Sequence, residues 1–227
     1  MTTNFHEDRM VGLILTFIGG AMDAYTYIHY DVFASAQTGN VILAIIQGFD
    51  GEWSSVWKKI LSIMCFFTGI LLAKYAIDFF KKKQIHYWRL FILYFEALVF
   101  LVVGLPLVNS HSTFVTVLIA FTAAVQWVAF DKIDGKTYTS LFTTGNIKGL
   151  AVNFYEYLKT REAQDKENFL HFFRVVFSFV LGAILSIYSY HLLNGKAVML
   201  IAAILFVLAI YETIMVLRFY RLNQMRK

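Results

Sequence analysis

The sequence predicts an all-α integral membrane protein: six transmembrane helices plus two short interrupted or re-entrant helices, built as two inverted three-span repeats. Three observations predict it. Of the 227 residues, 59% are hydrophobic and only 15% are charged, against about 25% charged in soluble domains. Six apolar runs are long enough for a hydrocarbon core of about 30 Å, which takes ~20 residues of helix. Two near-identical polar tetrapeptides, Gln37-Thr38-Gly39-Asn40 and Thr143-Thr144-Gly145-Asn146, stand in the same order of segments in both halves. The whole chain reads as a single membrane domain, with repeat halves 11–108 and 112–218.

The six runs lie near Val11–Tyr30, Trp57–Phe80, Leu90–Val108, Ser112–Phe130, Asn168–Leu192 and Lys196–Leu217. The N-terminal stretch is too acidic, and the run after it too long, for a cleavable signal peptide, so the first span reads as an uncleaved anchor. Two shorter stretches that begin polar, Phe33–Gly48 and Thr139–Leu158, carry the tetrapeptides. If these two do not cross, fifteen Lys and Arg collect on one side, including Arg9, Lys81, Lys82, Lys83, Arg226 and Lys227. The other side holds three: Lys58, Lys59 and Lys196. If both cross, the bias nearly vanishes and Lys148 is buried. The positive-inside rule favours the first arrangement, with both termini cytoplasmic in a cell (inner or plasma) membrane. Three true spans per half then make the halves opposite in orientation, as in many transporters. The eight-span alternative makes them parallel.

Composition excludes other classes. The lone Cys65 forms no intrachain disulfide. The net charge of +5 fits cytoplasmic Lys and Arg, and no motif points to nucleic acid. There is no phosphate-binding loop, dinucleotide fingerprint, metalloprotease pattern or nucleophile elbow. No enzyme, metal or cofactor is expected. The expected partners are the lipid bilayer and a small polar or ionic solute; a homo-oligomer is compatible with this reading.

Candidate site residues follow from polar groups at membrane depth. Gly39 and Gly145 permit unusual backbone. Asn40 or Thr38, and Asn146 or Thr144, are suited to cap the following helix, whose N-terminus would face a ligand. A lined pathway and plain interhelical glue both remain open for these groups. Gly19-Gly20 is expected to interrupt the first span, and Asp23 is its only acid. An acid there serves either proton or cation coupling or a structural hydrogen bond. The matching region of the second half carries Gln126 and Trp127. Glu96 and Glu212 sit at related positions in the two halves, as proton carriers or as interhelical hydrogen-bond partners. Lys148 follows Asn146 closely and would favour an anion.

Gly19-Gly20, Asp23, Phe33 and Gln37-Thr38-Gly39-Asn40 resemble the hallmark of the YoaK family of small bacterial membrane proteins. So does the second-half run from Ala124 through Gln126 and Phe130 to Thr143-Thr144-Gly145-Asn146. The resemblance covers nearly the whole chain and implies a multi-pass membrane protein. Many members carry Met where this chain has Thr143, and an Arg where it has Asp131-Lys132. The function expected is a secondary transporter or permease working through a site between the repeats. A passive channel and a non-transporting assembly partner are the alternatives.

Overall fold

The computed structural model describes residues 7–224; Arg226 and Lys227, counted above, and the chain termini lie outside that range. The fold is all-helical. Helix α1 (Arg9–Tyr30) starts at Asp8, whose side chain accepts the Met10 N–H at 2.8 Å, and ends at Asp31 in the left-handed region. It is followed by α2 (Gln37–Phe49), α3 (Trp53–Lys82), α4 (Trp88–Val103), the single turn α5 (Pro106–Asn109) and α6 (Ser112–Ala129). A two-residue hairpin follows, β1 (Lys132–Ile133) against β2 (Lys136–Thr137). Its turn residues Asp134 and Gly135 both have positive φ, as such tight turns require. Helices α7 (Thr144–Thr160), α8 (Ala163–Leu193) and α9 (Val198–Gln224) complete the chain, with a 3-10 turn at Asn194–Ala197 between the last two.

Two sequence expectations are corrected. Gly19-Gly20 does not interrupt the first helix, which is continuous from Arg9 to Tyr30. The third run stops at Val103, short of Val108. Gly104 and then Pro106, which lacks an N–H, end α4, and the chain restarts in α5 with the proline in its first turn. Four stretches are long and apolar enough to cross a membrane: α1, α3, α6 and Ala163–Phe219, which the Asn194–Ala197 turn divides into α8 and α9. At 16 residues, α4 falls short of that length.

Packing is crossed between the halves. Helix α1 lies on α8, α3 lies on α6, and α4 pairs with α9, while α2 rests on α3 and α7 on α8. Small residues set the first two contacts. A Cβ on Gly182 would stand 1.9 Å from the Phe17 carbonyl oxygen, and one on Gly20 2.1 Å from that of Phe179. In the matching place a Cβ on Gly69 would stand 2.9 Å from the Phe121 carbonyl oxygen. One continuous core joins α1, α4, α6 and α9 through Leu15, Met22, Phe100, Ile119 and Leu205. The outside is apolar as well: Phe49 is 91% exposed and Leu107 80%. Apolar exposure on this scale belongs to a surface that meets lipid or a partner.

Both ends of the bundle are tied by polar contacts. At one end Arg9 binds Asp134 at 2.8 Å and Glu167 at 2.9 Å, and Arg174 also reaches Glu167. At the other, Lys59, near the start of the second apolar run, is fully buried and pairs with Asp31 at 2.9 Å. Burial raises the Asp31 carboxyl, but hydrogen bonds from Lys59 and Gln47 outweigh it and hold the group below its ordinary value.

The glycine contacts give a contrast. Gly182→Ala forces α1 and α8 apart and is expected to cost about 1–3 kcal/mol, whereas Gly145, with open space around its Cβ position, should tolerate Ala or gain up to ~1 kcal/mol. Thermal unfolding of the two variants in detergent checks this; an unchanged Tm for Gly182→Ala would contradict the packing described.

Candidate functional site: a polar junction between the two halves

The two short helices are each preceded by non-helical chain that runs inside the protein. The same device holds both segments. The Asn40 Oδ1 accepts the Phe33 N–H at 2.9 Å, and its Nδ2 donates to the Phe33 carbonyl at 2.8 Å and to Gln37 Oε1 at 2.9 Å. The Asn146 Oδ1 accepts the Thr139 N–H at 3.3 Å, and its Nδ2 donates to the Thr139 carbonyl at 2.7 Å. Each asparagine is buried and reaches back 7 residues to satisfy both backbone groups of one residue.

This differs from the expected capping role. The helices start at Gln37 and Thr144, and neither N-cap, Ala36 or Thr143, makes a side-chain capping bond. Both asparagines are already inside the first turn. Gly39 and Gly145 adopt ordinary helical backbone, since neither has a positive φ. Gln37 donates to the Ala34 carbonyl at 2.9 Å, while Thr38 and Thr144 face outward. Lys148 is exposed on α7.

Asp23 is buried at the centre. Its carboxylate accepts the Ser35 N–H and the Ser35 hydroxyl, each at 2.7 Å. The same hydroxyl lies 3.3 Å from the Leu141 carbonyl oxygen. Ser35 and Leu141 are separated by 106 residues, the spacing of the tetrapeptides themselves, so equivalent points of the two segments touch. Gly19 makes the room: a Cβ there would stand 2.0 Å from the Ser140 carbonyl oxygen. Matching Phe17 to Phe121, whose carbonyls both sit over a glycine, places Trp127 opposite Asp23. Trp127 packs edge-on against Phe142 at 4.9 Å. One half therefore closes with a carboxylate and the other with two aromatic rings.

Four further polar side chains are buried in the bundle. Gln126 Nε2 donates to the Leu15 carbonyl and to Ser140 Oγ, each at 3.3 Å, and its Oε1 has no partner. Glu96, on α4, is fully buried with neither carboxylate oxygen partnered. The Tyr138 hydroxyl is buried beside the Ser140 side chain, and the charges of Asp131 and Glu96 bear on it. Glu212 is buried near Arg89, a different setting from that of Glu96.

Sequence reasoning missed Ser35, Tyr138 and Ser140; their only signal was a position just before each tetrapeptide. It also missed a network at the opposite end. His29 contacts the Tyr190 hydroxyl at 2.8 Å and Asn109 Oδ1 at 2.9 Å, and Asn109 Nδ2 donates to the Tyr25 hydroxyl at 2.7 Å. His29 and Asn109 border a cavity of about 730 Å³ that Ser112 and Lys196 also line.

The all-helical fold, its apolar exterior and its polar interior point to a membrane protein. The chain belongs to the DUF1275 family, described as a protein of unknown function, whose pattern matches residues 11–211 and bears out the resemblance to YoaK. No curated protein and no solved structure matches the chain.

Replacing Asn40 or Asn146 with Ala strands two backbone groups inside the protein. Each variant is expected to lose about 2–4 kcal/mol, read as a lower Tm, with Thr38→Ala as a near-neutral control. Equal stability of all three would mean that the asparagine clamps carry nothing.

Proposed function

We propose that this protein is a permease of the bacterial inner membrane for a small polar or ionic solute, built as two inverted halves. Helices α1, α3, α4 with α5, α6, α8 and α9 form the six crossings. Helices α2 and α7 are re-entrant and enter from opposite faces. Three observations support this topology. Gln47, near the end of α2, donates to Asp31 at 2.6 Å, so α2 returns to the end where α1 finishes. Tyr157, near the end of α7, stacks on Phe169 near the start of α8. Between those returns, Ser35 meets Leu141 in the interior. Each segment enters and leaves at one end, which matches the topology favoured by loop charge.

The observation that carries the transport reading is the pair of buried side chains, Glu96 and Gln126, that keep polar oxygens without a hydrogen-bond partner among the described residues. Buried polar groups are nearly always paired, so exceptions mark places that a moving or bound species fills. Intramembrane acids likewise mark ion and solute pathways. Non-helical backbone at depth is tolerated where protein or a lined cavity covers it.

A second reading has its own support. Asp23, Asn40 and Asn146 are paired with the neighbouring backbone, as a purely structural junction of a non-transporting membrane partner would require.

Two measurements test the proposal. Single cysteines replacing Glu52 and Lys82, in a Cys65→Ser background, are expected to label from opposite sides of the membrane. Purified protein in liposomes is expected to pass a small amino acid, carboxylate or monovalent cation at a rate that saturates and falls at least tenfold in Glu96→Gln. Labelling from one side sinks the topology; absence of flux for every class favours the partner reading.

A further inference from the structure

We propose that the cavity of about 730 Å³ at the end of the bundle where α1 finishes binds a small anion, through a carboxylate or phosphate group on a free solute. This names the solute class of the permease and rests on that reading.

The cavity lies between the halves. Tyr30, ending α1, and Asn109, ending α5, line it from the first half. Ser112, starting α6, and Lys196, in the turn before α9, line it from the second. Its volume falls within the range of about 300–1,000 Å³ usual for small-molecule sites.

One wall is polar and fixed by its own hydrogen bonds. Asn109 Nδ2 donates to the Val103 carbonyl at 3.1 Å and approaches the Gly195 carbonyl at 3.4 Å, which sets the orientation of the amide. Asn109 Oδ1 must then accept from His29 Nε2, at 2.9 Å, and His29 Nδ1 is left to accept from the Tyr190 hydroxyl at 2.8 Å. The Tyr25 hydroxyl donates to the Gly195 carbonyl at 2.9 Å. Gly195 makes this possible, since a Cβ there would stand 2.1 Å from Asn109 Oδ1. The wall spends its polar groups internally and holds in place the turn that carries Lys196.

Charge decides the ligand. Among the described residues the lining contains Lys196 and neither Asp nor Glu. Asp31, next to Tyr30, is spent on Lys59 and Gln47. Of the three lysines that loop charge leaves at this end, Lys59 pairs with Asp31 and Lys58 donates to the Tyr30 carbonyl at 3.4 Å. Lys196 is exposed, and its ammonium has no ion pair among the described residues. Helix α6 starts at Ser112 without a side-chain cap, so its first N–H groups and about half a positive unit charge are available to an anion. The carbonyl end of α8, at Leu192 and Leu193, brings about half a negative unit charge. These two cancel, and the full charge of Lys196 is left over.

The test is Tm of the purified full-length protein in detergent at neutral pH. Sodium acetate or sodium phosphate replaces part of the sodium chloride at constant ionic strength, and phosphatidylglycerol is added in a separate arm. A ligand that binds only the folded state, at ten times its Kd, raises Tm by roughly 3–6 °C. A rise with acetate or phosphate is expected. Lys196→Gln should weaken the apparent affinity at least tenfold. Ser112→Asp should abolish the rise; a carboxylate at a helix start favours the helix, so this variant keeps the test alive if the other does not fold. Lys82→Gln, at the opposite end, should keep the full rise. No rise with either free anion, a rise unchanged in both lining variants, or a rise with phosphatidylglycerol alone overturns the site. Anion binding without flux in liposomes would sink the permease reading and leave this site standing; saturable flux that Lys196→Gln does not alter would do the reverse.

Discussion

Backbone that leaves the helix inside a lipid-facing protein must still satisfy its N–H and C=O groups, and lipid offers no partner. The rest of the structure depends on how that constraint is met at two places. Asn40 and Asn146 each hold one upstream residue by both its backbone groups, using a side chain with a donor and an acceptor in one plane. Serine or threonine cannot do both at that reach. Once Phe33 and Thr139 are fixed, Ser35 and Leu141 are brought together, and Gly19 is needed so that the second segment can cross α1. The crossed packing of α1 on α8 and α3 on α6 surrounds this junction with helices from both halves.

The two halves hold their short helices by similar contacts but carry different groups there. The clamps are alike, the glycine contacts of α3 and α8 are alike, and the two segments touch at equivalent points. The fillings differ. Asp23 with Ser35 closes one half and Trp127 with Phe142 the other. Glu96 is buried without a partner, whereas Glu212 lies near Arg89. The unlike groups leave Glu96 as a buried carboxyl with no hydrogen-bond partner among the described residues.

Much of the fold was legible in the sequence. Apolar run length located most of the helices, and the repeated Thr-Gly-Asn located both short ones. What was not legible depended on tertiary partners. The pattern of α1 shows two glycines that look like a break, yet they serve close approach by α8 and by the chain at Ser140. Asn near a helix start reads as a cap, and only the path of the preceding chain shows it reaching back instead. The pairing of Lys59 was not legible because Asp31, its partner, lies 28 residues away. Tyr138 and Ser140 were marked only by their place before the second tetrapeptide; the contact of Ser140 with Gln126 comes from another helix.

The central claim is that the two asparagine-clamped segments meet inside the protein. Its most direct test is a cross-link between cysteines at Ser35 and Leu141 in a Cys65→Ser background, read by mass spectrometry of the digested monomer. The account predicts an intramolecular 35–141 link formed by an oxidant or a very short bifunctional reagent, lost when Asn40 or Asn146 is replaced by Ala. Links formed only between copies, or no link while both cysteines react freely with external thiol reagents, would contradict it.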